Sequence, residues 1–187
     1  RPIDADTAHA IASTFIEAVV APDVDEDARP ILAAKKALRL VAANFPRGPG
    51  DATLTREVRS ILGAVLVQQR DRVVEAGSTW GSTGAGPAAE LRVVTKRAPT
   101  DAEWRALRFA WRVCAHVKSN AVIFARADRS CAIGAGQMSR VDAVKVAAMK
   151  ATDGLAGTVA ASDAFFPFRD GLDAIAAAGA TAVVQPG

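Results

Sequence analysis

Short apolar runs alternate with helix-like stretches along most of this chain, and proline or glycine separates many of them. The runs predicted to be strands are residues 18–21, 38–42, 63–69, 91–95, 120–125, 130–133, 158–162 and 180–185. The stretches predicted to be helices are residues 4–16, 25–36, 101–117, 140–151 and a segment that ends at Gly179. Strands that alternate with helices predict an α/β fold with a mainly parallel sheet, covered by helices on both faces.

Two segments interrupt this alternation. Residues 44–60 begin with proline and glycine and then take on a helical pattern, so we expect an irregular segment that becomes partly helical. Residues 76–90 are rich in glycine, serine and threonine and contain a proline, which predicts a loop or linker.

The clearest helix is predicted at residues 101–117. Thr100 and Glu103 have the spacing of a capping box, in which each side chain bonds the backbone N–H of the other residue. Apolar side chains then recur at steps of three and four, which predicts one buried face. This face consists of Trp104, Leu107, Trp111, Cys114 and Val117. We interpret the tryptophans as core residues; a ligand-binding role is the alternative.

Composition excludes several classes of protein. The 187 residues carry a net charge of +3 without a concentrated basic stripe, which argues against a nucleic-acid partner. No apolar run is long enough to suggest a membrane span. Two cysteines, Cys114 and Cys131, are too few for a disulfide framework and favour reduced thiols in a cytoplasmic protein. Zinc deaminases need an H-x-E and a P-C-x-x-C string, and neither occurs, so we predict no zinc site.

Residues 162–170 read Ser-Asp-Ala-Phe-Phe-Pro-Phe-Arg-Asp and hold three of the ten aromatic residues of the chain. Rings beside fixed charges suit a planar, polar, partly anionic ligand, because the rings stack on it and the charges orient it. The alternative is a hydrophobic plug capped by an Arg–Asp pair at the surface. This segment by itself favours neither interpretation.

Residues 134–140 lie between a predicted strand and a predicted helix, and they contain two glycines. Glycine allows a ligand to approach the backbone, and a helix start offers unpaired N–H groups to an anion. Ser139 can cap this helix together with Asp142, and Arg140 has the donor geometry that phosphate or carboxylate requires. The segment matches neither the G-x-G-x-x-G dinucleotide pattern nor a P-loop, so a tight turn with a surface arginine is the alternative.

Asn120 follows the long predicted helix and begins an apolar strand. Its amide can donate and accept at once, which suits the binding of an amide or formyl group. The alternative is a helix C-cap, since asparagine tolerates the left-handed backbone conformation.

Taken together, residues 117–120, 133–140 and 162–170 resemble one family closely, the formyltransferase half of the bifunctional enzymes that join AICAR transformylase to IMP cyclohydrolase. Shorter stretches support the resemblance over essentially the whole chain, at residues 19–22, 31–36, 66–68 and 95–99. The resemblance implies a cytidine-deaminase-like three-layer α/β sandwich built from tandem deaminase-like units. Residues 1–90 would form the latter part of the first unit plus a linker, and residues 91–187 most of the second.

The resemblance also implies an activity. Such enzymes transfer a formyl group from 10-formyltetrahydrofolate to AICAR in de novo purine biosynthesis, giving formyl-AICAR and tetrahydrofolate, as cytoplasmic homodimers with a shared active site. The chain starts without methionine, so we expect it to be a piece of a longer protein. The family's catalytic Lys-His pair would precede Arg1, a nucleotide-binding arginine would follow Gly187, and the cyclohydrolase domain would also lie outside. The alternative is therefore a substrate-binding or dimerisation module that is inactive by itself.

The resemblance assigns roles to eight residues, none of them an acid–base catalyst. Asn120 would contact the reacting centre, and hence the transition state. The AICAR contacts would be Glu17, Asn120, Arg140 and Phe165. The folate contacts would be Val141 and Asp170, and the ligands of a potassium ion would be Ser119 and Asp163.

Overall fold

The computed structural model describes residues 1–43, 56–69, 73, 80 and 91–187. It divides into two compact units, Arg1–Arg70 and Asp71–Gly187, and both contain helices and strands. The predicted α/β class is therefore confirmed. Among the described helices, none has the length and apolar character that crossing a membrane requires.

The described residues of the first unit contain two separate pairs of strands. Its elements are α1 (Ala5–Ala12), β1 (Ala18–Ala21), α2 (Ala28–Ala33), β2 (Arg39–Ala42), β3 (Arg56–Ile61) and β4 (Ala64–Gln69). Strands β1 and β2 pair in parallel, whereas β3 and β4 form an antiparallel hairpin. The helical pattern predicted in residues 44–60 is wrong for residues 56–60, where cross-strand pairs such as Val58 with Val67 stabilise a strand instead. Residues 44–55 lie outside the described residues.

The second unit is built on a four-stranded sheet. Its elements are α3 (Asp101–Cys114), β5 (Val122–Ala125), β6 (Ser130–Gly134), α4 (Arg140–Lys150), β7 (Val159–Ser162), α5 (Arg169–Ala177) and β8 (Ala182–Val184). The strands are arranged in the order β6-β5-β7-β8. The predicted loop at residues 76–90 lies outside the described residues, except for Trp80.

The prediction of a mainly parallel sheet is wrong for the described strands. In the four-stranded sheet only β7 and β8 pair in parallel, and β5 runs antiparallel to both of its neighbours. Residues 126–129 join β5 to β6, and so short a connection can only reverse the chain. Helix α4 then carries the chain back, so that β7 has the direction of β6 and is antiparallel to the strand between them.

Helices cover both faces of this sheet. Ile123 of β5 belongs to the cluster that packs against α3, whereas Val122 and Phe124 belong to the cluster under α4 and α5. Alternate residues of one strand therefore point into two cores, as the pleat of a strand requires. All four residues of β5 and of β7 are buried, which explains why their sequences are apolar except for Ser162, whose hydroxyl donates to the Ala164 carbonyl.

Helix α3 confirms the predicted capping box and most of the predicted buried face. Thr100 accepts a hydrogen bond from the Glu103 N–H, and the Glu103 carboxylate accepts one from the Thr100 N–H. Trp104 is buried, and its ring lies edge-on to Trp80 with 6.4 Å between ring centroids, so the core interpretation holds for Trp104. Trp111 is half-buried and packs against the same core. The strand predicted at residues 91–95 is wrong: these residues are exposed and irregular.

Glu103 also ties the start of α3 to the beginning of β8. Its carboxylate pairs with the Arg97 guanidinium through two hydrogen bonds of 2.8 and 3.0 Å and accepts a third from the Thr181 hydroxyl. These contacts, with Arg97 as the largest cause, hold the pKa of Glu103 well below its ordinary value of 4.5. A lowered folded-state pKa stabilises the protein above pH 4.5 and ceases to do so as the pH falls through the folded-state value.

We therefore expect Glu103→Gln to reduce the free energy of unfolding by about 1–2 kcal/mol at pH 7, through loss of the ion pair and weakening of the cap. Urea unfolding at a series of pH values measures this, and the difference from wild type should shrink below pH 4.5. Glu57→Gln is the matched control, because Glu57 makes only weak surface contacts, a 3.6 Å ion pair with Arg59 and a 3.5 Å hydrogen bond from the Gln68 amide. A similar loss in both variants would contradict the role given to Glu103.

Candidate functional site

The three segments that the sequence singles out meet at one edge of the four-stranded sheet. Val122, the first residue of β5, stands opposite Gly134 at the end of β6 and opposite Ser162 at the end of β7. The residues that precede β5 and those that follow β6 and β7 must therefore lie together. We call this region the loop cluster: residues 118–121, 134–140 and 163–170.

Asn120 lies against the loop that follows β6. Its Nδ2 donates to the Gln137 carbonyl over 2.9 Å, and the two backbones exchange a pair of 3.3 Å hydrogen bonds. No hydrogen bond among the described residues uses the Asn120 Oδ1. The alternative interpretation of Asn120 as a helix C-cap is wrong, because α3 ends at Cys114. The half-buried amide therefore keeps an acceptor and one N–H for a ligand.

Asp163 contacts the same segment from the opposite side. Its Oδ1 accepts from the Ala121 N–H over 3.0 Å, and its Oδ2 accepts from the Ser119 hydroxyl. The Asp163 N–H in turn donates to the Ala121 carbonyl over 3.3 Å. The Ser119–Asn120 peptide bond within this segment is cis. Residues 119–121 are thus hydrogen-bonded to both of the other segments of the loop cluster.

The chemistry of Ser119 and Asp163 is compatible with a hard cation such as potassium, since both offer oxygen ligands. The two side chains lie together, as the resemblance implies. Within the described part of the chain, however, no three His, Cys, Asp or Glu side chains are grouped as a metal site. The Asp163 carboxylate already accepts two hydrogen bonds from protein donors.

The loop after β6 is shaped by two glycines. A Cβ at Gly134 would lie 1.8 Å from the Ala143 carbonyl oxygen, so only glycine lets α4 pack this closely against the strand. Gly136 has a φ of +65°, and its N–H donates to the Lys118 carbonyl over 2.7 Å. Such a backbone conformation favours glycine and brings the loop back onto the residues before β5.

Helix α4 begins in this loop. Ser139 accepts from the Asp142 N–H, which confirms the predicted cap. Arg140, the first residue of the helix, is half-buried, and its Nε is buried without a hydrogen-bond partner in the described structure. A buried donor without a partner is unusual in a folded protein and is consistent with an anionic ligand. Val141 is also half-buried.

The three phenylalanines of the aromatic segment have different environments. Phe166 packs into the core beneath α4 and α5, and its ring covers Gly171, where a Cβ would lie 2.4 Å from the ring. Phe165 and Phe168 are 56% and 73% exposed. The plug interpretation therefore holds for Phe166 alone, and the other two rings are available to a ligand.

Arg169 and Asp170 of this segment also differ in how far they are occupied by other protein groups. Arg169 forms its ion pair with Asp173 at 2.8 Å, one turn further along α5. Asp170 is exposed in the first turn of α5 and accepts from the Gly171 N–H over 2.8 Å. The predicted Arg–Asp cap thus uses Asp173, and the Asp170 carboxylate remains accessible.

Glu17 is exposed and directly precedes β1 in the first unit, whereas the loop cluster belongs to the second. Its role stays a prediction. Two residues of the cluster were not predicted from sequence: Gln137 and Ala121 contribute through backbone atoms, which no side-chain pattern reveals.

Cys114 is not a nucleophile candidate. Burial, and secondarily the negative charge of Asp163, raises the pKa of its thiol to about 12. The thiol therefore stays protonated near neutral pH, whereas the thiolate is the reactive form.

Comparison with known proteins gives a consistent result. A family model described as "AICARFT/IMPCHase bienzyme" matches residues 1–150. Three bacterial proteins named "Bifunctional purine biosynthesis protein PurH" align over 100% of the chain. Those of Anaeromyxobacter sp. (strain Fw109-5) and Parvibaculum lavamentivorans are 48% identical to it, and that of Myxococcus xanthus is 49% identical. In each case the aligned region is 34% of the relative, so the chain spans about a third of the length of these curated relatives.

Proposed function

The chain belongs to the AICARFT/IMPCHase bienzyme family, and from this membership we propose that it forms part of the formyltransferase of de novo purine biosynthesis. The reaction transfers the formyl group of 10-formyltetrahydrofolate to AICAR, giving formyl-AICAR and tetrahydrofolate. The observation that carries the proposal is the loop cluster, in which three family-like segments share one sheet edge and Asn120 hydrogen-bonds to Gln137.

The chemistry of this transfer fits the groups in the loop cluster. The aromatic amine of AICAR attacks the formyl carbon, a new C–N bond forms, the bond from that carbon to the folate nitrogen breaks, and the amine proton passes to that nitrogen. The developing oxyanion requires donors, and the two reactants require alignment. Asn120 offers an acceptor to the amine and a donor to the oxyanion.

We assign the remaining contacts by chemical type. Arg140 binds an anionic part of AICAR, supported by its unpartnered Nε, and the exposed ring of Phe165 packs on the nucleotide. Asp170 accepts from the N–H-rich edge of the folate, and Val141 lies beside it. We also assign Glu17 as an AICAR contact, because the resemblance to the family gives it that role.

The broader assignments belong to the same proposal. The two units derive from tandem cytidine-deaminase-like units, and the protein acts in the cytoplasm as a homodimer with a shared active site. Ser119 and Asp163 are the side chains that would hold a potassium ion, whose chemistry is to fix nearby oxygen atoms rather than to react.

A second candidate is a module that binds substrate or dimerises without turnover. The observation that favours it is the length of the chain, which spans about a third of the length of the relatives. Tetrahydrofolate formation from AICAR and 10-formyltetrahydrofolate distinguishes the two, measured for the 187-residue chain and for the complete protein encoded by its gene. Activity confined to the complete protein supports the module, and no activity in either one contradicts the proposed function.

We expect Asp170→Ala in the complete protein to raise the KM for 10-formyltetrahydrofolate by about tenfold to a hundredfold, since charge-assisted hydrogen bonds are lost. The KM for AICAR should change by less than about threefold, because Asp170 acts on the other substrate. Asp173→Ala is the matched control, on the same helix but paired with Arg169. Equal increases in both KM values would contradict the folate role of Asp170.

A further inference from the structure

The Asp163 carboxylate holds both sequence neighbours of Asn120. One of its oxygens accepts from the Ser119 hydroxyl, and the other accepts from the Ala121 N–H. We propose that Asp163 is a positioning residue for Asn120, which fixes the amide in the orientation that formyl transfer requires. This inference rests on the proposed function.

The carboxylate is itself firmly placed. Asp163 directly follows β7, whose last residue, Ser162, is fully buried and donates to the Ala164 carbonyl over 2.7 Å. The backbone of Asp163 continues the pairing with β5 through its 3.3 Å hydrogen bond to the Ala121 carbonyl. The Asp163 side chain thus connects a buried strand to the segment that carries Asn120 and holds that segment in a fixed position relative to the strand.

The other side of Asn120 is held by backbone alone. The Gln137 carbonyl takes one N–H of the amide, and the Gly136 N–H holds Lys118, two residues before Asn120. Asn120 is consequently fixed from the loop after β6 and, through its neighbours, from the loop after β7. Catalytic side chains need such support, because a displacement of about 1 Å costs about a hundredfold in rate.

The test uses the complete protein and a double-mutant cycle in formyl transfer. Asp163→Asn keeps the size of the side chain and an acceptor for the Ala121 N–H, but it replaces the acceptor of the Ser119 hydroxyl with a donor. We expect kcat to fall by about tenfold to thirtyfold and the KM for AICAR to change by less than about threefold. In the Asn120→Ala background the same substitution should cost less than about twofold, because there is no amide left to position.

If Asp163→Asn lowered kcat by the same factor in the wild-type and the Asn120→Ala proteins, the proposal would be overturned, because Asp163 would then act independently of Asn120. Full recovery of Asp163→Asn at high KCl would also overturn it, since the loss of activity would then come from weaker cation binding, the other role proposed for Asp163, and not from the hydrogen bonds to Ser119 and Ala121. If Asp163→Asn fails to fold, Ser119→Ala carries the test, with an expected loss of about threefold to tenfold that vanishes in the Asn120→Ala background. A wild-type protein without formyl transfer would defeat the proposed function, whereas an active one without coupling would defeat this inference alone.

Discussion

We expect Asn120→Ala in the complete protein to lower kcat for formyl transfer by about a hundredfold to a thousandfold, the effect of removing one donor from an oxyanion site. The physical reason is that the amide of Asn120 offers both an acceptor and a donor at the loop cluster while Gln137 holds its remaining N–H. Steady-state kinetics with AICAR and 10-formyltetrahydrofolate measures the change.

Ser130→Ala is the matched control for this substitution. Ser130 is an exposed polar residue at the start of β6, opposite Ala125 and thus at the other end of the sheet. The kcat of Ser130→Ala should stay within about twofold of wild type, because surface substitutions away from special features have small effects. A loss of less than about fivefold in Asn120→Ala would show that this amide makes no contact to the transition state.

The largest effect on stability is expected at Gly134. Gly134→Ala would place a Cβ 1.8 Å from the Ala143 carbonyl oxygen, 2.6 Å from its carbon and 2.9 Å from the Ala143 Cα. These are backbone atoms of α4, so the helix must move away from β6 to admit the methyl group. We expect the free energy of unfolding to fall by about 3 kcal/mol, at the upper end of overpacking effects, as measured by urea unfolding.

Gly63→Ala separates this clash from backbone strain. Gly63 has a φ of +85° in the turn between β3 and β4, and a Cβ there would meet no atom within 4 Å. Gly63→Ala should lower the free energy of unfolding by only about 1–2 kcal/mol, which is the penalty of a left-handed conformation for alanine. If Gly134→Ala proved no more destabilising than Gly63→Ala, the result would contradict the close packing of α4 against β6 that the structure shows.

Local features of the fold were predictable from sequence, whereas the order of the strands in the sheet was not. The cap at Thr100 and Glu103 and the strand Ala18–Ala21 were predicted correctly, because capping spacing and apolar runs are local signals. The short connection at residues 126–129 requires β5 and β6 to be antiparallel, but the pairing of β5 with β7 depends on how the chain crosses the sheet, and an apolar run carries no such information. Residues 91–95 have an apolar composition typical of a strand but are exposed, since apolar content alone does not supply a pairing partner.

The site was predictable as three segments but not in its internal contacts. Glycine, aromatic and charged residues identified the segments, and the resemblance placed them in one site. The sequence could not distinguish Phe166, which is packed in the core, from the exposed rings of Phe165 and Phe168. It also gave no sign of Gln137, because that residue holds Asn120 through its carbonyl group.

A crystal structure of the complete protein with AICAR and a non-reactive folate analogue tests the central claim most directly. We predict that the AICAR amine lies within hydrogen-bonding distance of Asn120, with Phe165 against the nucleotide and Asp170 on the folate. Binding of both ligands away from residues 118–121, 134–140 and 163–170 would contradict the account.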